Sequence, residues 1–144
     1  MSPGKQTDRF LRIALLVNSR ISAVLGAAVL LAAGPIAEQV GLAAALGFTP
    51  AFGFVFAAGL AVLLFGTGVG WTAKSRSLDQ RTAAAALLLN AAWVLGSIGF
   101  LLSPFVIPDG GKWIVLTLAY VAAVFTALHG YGMWRARMFS SRSV

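Results

Sequence analysis

Four stretches of this chain, 11–33, 51–72, 83–103 and 113–134, are apolar almost from end to end. Each has about the 20 residues a helix needs to cross ~30 Å of hydrocarbon. Inside a bilayer the backbone must satisfy its own hydrogen bonds, which selects helices or closed barrels. Barrel strands are short and alternate in polarity, whereas these runs are uniformly apolar. Charged residues make up only 10% of the 144, against about 25% in a soluble domain. The expectation is an all-α integral membrane protein, a four-helix transmembrane bundle running up-down-up-down. A polar tail over 1–9, one membrane domain over 10–137 and a second tail over 138–144 account for the whole sequence.

The basic residues orient that bundle. Lys5, Arg9 and Arg12 stand before or at the first run, Lys74, Arg76 and Arg81 between the second and third, and Arg135, Arg137 and Arg142 after the last. With alternating spans these nine share one side, and Lys112 alone faces them. Such a bias marks the cytoplasmic side, giving an N-in/C-in arrangement. The net charge of +7 is thereby explained by orientation and by attraction to anionic headgroups. No nucleic-acid partner is expected.

The connections are short. Gly34-Pro35 stops the first helix, since proline cannot continue one. The 36–46 segment carries Glu38 and Gln39 among aliphatic residues. It is too short to span and suits an interfacial helical turn. Gly47 to Pro50 bends the chain into the second span. Ser77 or Asp79 suits a cap for the third, and Asp109-Gly110-Gly111 marks a turn before the fourth. The apolar core 21–33 has the length of a signal-peptide core, but apolar residues 10–17 before it and Pro35 after it favour an uncleaved span. Trp71 and Trp134 at one set of ends and Trp113 at the other fit the headgroup belts.

Small residues recur at helical spacing: Gly66 and Gly70 in the second span, Ala92, Gly96 and Gly99 in the third, and Ala119, Ala122, Ala123, Thr126, Ala127 and Gly130 in the fourth. Such stripes let helices approach closely, within one bundle or between copies. A homo-oligomer or a membrane-protein partner is the second of those readings.

Few polar residues interrupt the spans, and they fall at one depth. Asn18, Thr67, Asn90 and His129 each lie within about 7–14 Å of the cytoplasmic ends of their helices at 1.5 Å per residue. On a helical wheel Ser22 shares the face of Asn18, while Trp93 and Ser97 share that of Asn90. Asn18, Ser22, Thr67, Asn90, Trp93, Ser97 and His129 therefore form a candidate polar layer. Two readings stand: hydrogen bonds between helices, or a small polar pocket open to the cytoplasmic side. Arg20 lies about 200° around the helix from Asn18 and has no acid at its depth. It reads as a contact for an anionic lipid or ligand.

The same residues exclude much chemistry. The chain has no cysteine and one histidine, so thiol redox chemistry and a metal centre from one copy are not expected. Haem held by His129 would need a second copy for bis-histidine ligation. No carboxylate pair or nucleophile–base pair sits in the spans, and no catalytic residue, metal or cofactor is assigned.

The pattern Asn18-x3-Ser22-x3-Gly26, then Gly41-Leu42, then Asn90-x2-Trp93-Val94-x2-Ser97 resembles a group of small four-span bacterial membrane proteins with no assigned function. That resemblance implies a bacterial inner (plasma) membrane location and the same bundle, without an activity. Arg20 is outside the pattern. The small multidrug transporters are similar in length and span number, but they use a glutamate in the first span, where this chain has Arg20 and no acid. The reading that follows is a non-enzymatic accessory or lipid-like-ligand-binding bundle, with a subunit of a small oligomeric transporter as the alternative.

Overall fold

The computed structural model describes residues 3–74 and 80–140. Their helices are α1 (Pro3–Leu31), α2 (Ala33–Gln39), α3 (Leu42–Leu46), α4 (Phe48–Ala73), α5 (Gln80–Leu101) and α6 (Asp109–Ser140). The four long ones contain apolar stretches of 23, 26, 19 and 27 residues, each enough to cross a membrane. The protein is a multi-pass membrane protein built only of helices among the described residues.

The helix ends follow local chemistry. Pro35 has no N–H to give the Leu31 carbonyl, and α1 stops at Leu31. After Ala32 alone the chain restarts as α2, where Pro35 occupies the first turn and no donor is missed. The interfacial segment is two short helices rather than one turn. They are separated by Gly41, at φ +77°. A Cβ there would run into the Val106 carbonyl. Gly47, at φ +83°, makes the second corner. Helix also extends past the expected spans. α1 reaches back to Pro3 and α6 on to Ser140, so residues 3–9 and 138–140 are helical where tails were expected. The expected cap at Ser77 or Asp79 lies outside the described residues, as do Arg76 and Arg142.

In space the long helices do not follow chain order. α1 packs along α4, α6 packs on α1, α5 packs on α6, and α4 and α5 barely meet. The α1–α4 contact is the closest. A Cβ on Gly26 would stand 2.5 Å from the Leu63 nitrogen, one on Gly66 2.6 Å from the Ala23 nitrogen, and one on Gly59 3.0 Å from the Leu30 nitrogen. Gly70 lies against the Ser19 side chain. The partners run in reversed order, so the two helices are antiparallel and nearly touch backbone to backbone.

Two of the expected small-residue stripes behave differently. In α6, Ala119 and Ala122 are buried, but Ala123 and Ala127 are exposed. In α5, Ala92, Gly96 and Gly99 are all exposed, and a Cβ on either glycine would meet nothing.

Two apolar clusters fill the interior. Leu11, Leu15, Val69, Ala73, Ala83 and Ala86 sit near the arginine-rich end. Ala33, Ala37, Val40, Leu42, Ala51 and Val55 sit near the end that carries Glu38 and Asp109. A shallow apolar groove of about 410 Å³ between α1, α2 and α6, with Leu25, Ile36 and Trp113 in its lining, belongs to that second end.

A buried nitrogen-rich layer as candidate functional site

Between the two apolar clusters lies a layer of buried polar side chains: Asn18 and Ser22 from α1, Asn90 from α5 and His129 from α6. His129 is fully buried and Asn18 is 1% exposed. Helix register brings these groups together. His129 lies beside the Ala14 carbonyl, and a Cβ added at Gly130 would stand 3.5 Å from Leu87 Cδ1. Asn18 is four residues beyond Ala14 and Asn90 three beyond Leu87. The three side chains therefore fall within about 6 Å of depth.

Side-chain tilt closes the remaining gap. Side chains lean toward the N-terminus of their helix. α6 runs opposite to α1, so Asn18 leans toward the arginine-rich end and His129 away from it. The two converge.

The layer is short of partners. The Ser22 hydroxyl donates to Asn18 Oδ1 at 3.2 Å. Asn18 Nδ2, Asn90 Nδ2 and both ring nitrogens of His129 have no hydrogen-bond partner among the described residues. The Ala14 carbonyl is the polar backbone group beside the imidazole. Exchanging the two amide atoms of Asn18 would strand its oxygen instead, so one polar atom is left over in either orientation. Each unpaired buried amide or imidazole costs about 1–3 kcal/mol. Native proteins tolerate few such groups, and each calls for a partner such as an ordered water or a bound molecule. Phe125, one turn from His129 with ring centroids 6.2 Å apart, walls the layer on one side.

Three residues expected in the layer are less buried than the rest. Thr67 is exposed, and its hydroxyl donates to the Leu63 and Leu64 carbonyls at 3.1 and 3.0 Å. Trp93 is 36% exposed. Ser97 is half-buried and donates to the Trp93 carbonyl at 2.8 Å. The reason is that α5 barely meets α4 and packs chiefly on α6, which leaves much of its surface uncovered.

Arg20 is exposed on the stripe of Ile13, Val17, Val24 and Leu31, away from the layer. Among the described residues it makes no ion pair or hydrogen bond. Ser19 escaped the sequence reading although it is buried against Gly70. Its spacing to Ala23 and Gly26 was the available signal.

The layer offers hydrogen-bond donors: two amide NH2 groups and one imidazole N–H, with one imidazole acceptor. It holds no carboxylate, thiol or cation, and among the described residues no group of three metal-ligating side chains occurs. Comparison with protein-family models, curated proteins and solved structures finds no match to this chain.

Proposed function

We propose that this multi-pass membrane protein is a non-enzymatic binding bundle. Its buried layer takes a small lipid-soluble molecule bearing carbonyl, ether or hydroxyl oxygens. The observation that carries the reading is the cluster of four unpartnered side-chain nitrogens on Asn18, Asn90 and His129. Acceptor oxygens of a neutral ligand would satisfy the amides and the imidazole N–H together, with no charge brought into the bilayer. Entry would be lateral, between α4 and α5, which barely meet. The nine-to-one distribution of basic residues supports an inner-membrane setting with both termini in the cytoplasm.

Organic extraction of the purified protein, followed by mass spectrometry, tests this. A neutral oxygen-bearing molecule should come off near one per chain and be depleted in Asn90→Leu and His129→Leu. If nothing co-purifies and both variants are at least as stable as the parent, the layer is only an uncompensated cost and the reading fails.

A further inference from the structure

A second site lies on the outside of the α1–α4 seam. Ser19 packs against Gly70. Arg20 follows Ser19, and Trp71 follows Gly70. Each step turns about 100° forward around its helix. Because the helices are antiparallel, one forward turn on each leads to the same side of the pair. Arg20 and Trp71 therefore share one face at one depth. The contact of Gly66 with Ala23 puts Thr67 on that face by the same rule.

Thr67, Trp71 and Lys74 follow at i, i+4 and i+7 and form one stripe on α4. Arg9 and Arg20, eleven residues apart, lie on one stripe of α1. All five are exposed, with Trp71 at 84%. The Arg20 side chain leans toward the N-terminus of α1, the arginine-rich end, while Trp71 leans the opposite way from α4. The lean of Arg20 thus carries its guanidinium toward the level of Lys74. No carboxylate with a described side chain lies on this face, since Glu38 and Asp109 are at the other end of the bundle.

We propose that Arg20, Trp71 and Lys74, with Arg9 above them and Thr67 below, form a binding site for the phosphate of one anionic phospholipid. Arg20 and Lys74 hold the phosphate and draw it below the ordinary headgroup plane, while Arg9, about 16 Å above Arg20 along α1, adds to the positive field over the site. The Trp71 indole covers the glycerol region, and the apolar surface beneath Thr67 receives the acyl chains. Among the described residues Arg20 has no counter-ion within the chain, because it faces lipid and not the buried layer.

The full-length protein in nanodiscs of mixed phosphatidylglycerol and phosphatidylcholine provides the test, with native mass spectrometry to count retained lipids. Phosphatidylglycerol should be retained about tenfold over phosphatidylcholine. Arg20→Gln and Lys74→Gln should each cut that preference about fivefold, the equivalent of roughly 1 kcal/mol per cation. Arg20→Lys should keep most of it, and Lys112→Gln at the far end should leave it unchanged. In a protein whose sole tryptophan is Trp71, brominated phosphatidylglycerol should quench fluorescence more than brominated phosphatidylcholine.

Equal retention by the parent and Arg20→Gln overturns the proposal, as does equal quenching by the two lipids. Inorganic phosphate that binds with equal strength in lipid-free detergent would show an anion site rather than a lipid site, and it overturns the assignment too. Arg20→Gln removes a lipid-facing charge and leaves the packed faces intact. Should it still fail to fold, Lys74→Gln and the quenching measurement on the Trp71-only protein decide the matter.

Discussion

A methyl group added at Gly26 would stand 2.5 Å from the Leu63 nitrogen and 2.8 Å from the Leu63 Cα. Both are backbone atoms, so no side chain can swing aside. An ordinary contact needs about 1 Å more, and a gap of that size forfeits up to about half of each neighbouring dispersion contact. Overpacking of this kind costs about 1–3 kcal/mol. Gly66→Ala meets the same obstacle, at 2.6 Å from the Ala23 nitrogen. The double variant should cost less than the two singles together, because one separation of the axes relieves both clashes.

Gly53 and Gly68 lie on the same helix α4, and a Cβ at either would meet nothing. Gly53→Ala and Gly68→Ala should therefore be neutral or stabilise by up to about 1 kcal/mol through helix propensity. The assay is unfolding free energy by steric trapping in detergent micelles, with all four variants in one series. The expected result is a difference in sign between seam and open positions. If Gly26→Ala and Gly66→Ala are as stable as Gly53→Ala and Gly68→Ala, the close backbone approach is wrong.

Further substitutions probe the rest of the frame. Gly41→Ala places a side chain at positive φ and against the Val106 carbonyl. It should destabilise by more than about 1 kcal/mol in the same assay. The Arg12 Nη1 donates to the Ala73 carbonyl at 2.9 Å, closing the last turn of α4. Arg12→Met should cost about 1 kcal/mol and speed amide exchange near the end of α4. Asp109→Asn breaks the 3.0 Å pair with Lys112, but both side chains are largely exposed. Its effect on unfolding should stay within about 0.5 kcal/mol.

The spans and most of their ends were legible because a membrane reduces folding to length and polarity. Asn18, Ser22, Asn90 and His129 were legible too, since a polar group in a hydrocarbon span has to be accounted for. Thr67, Trp93 and Ser97 are more exposed than the other four, and the reason is physical. A hydroxyl can satisfy itself on the carbonyl three or four residues back, as Thr67 and Ser97 do, and then either face will hold it. The wheel gives relative angles within one helix. It does not say which neighbour stands where, and the order α4–α1–α6–α5 decided which faces were covered. The glycine stripe of α4 was readable, but its partner face, Ser19, Ala23 and Gly26, emerged only when the two helices were set side by side.

That order has a consequence for how the protein is made. α1 and α4 are neighbours in the order of synthesis as well as in space, and so are α5 and α6. The glycine seam can therefore close while the second half of the chain is still on the ribosome. The nitrogen-rich layer cannot, because Asn18 belongs to the first hairpin while Asn90 and His129 belong to the second. It comes into being only when the two finished hairpins dock through α1 and α6. Any substitution that weakens the α1–α6 contact therefore acts on the layer before it acts on either hairpin.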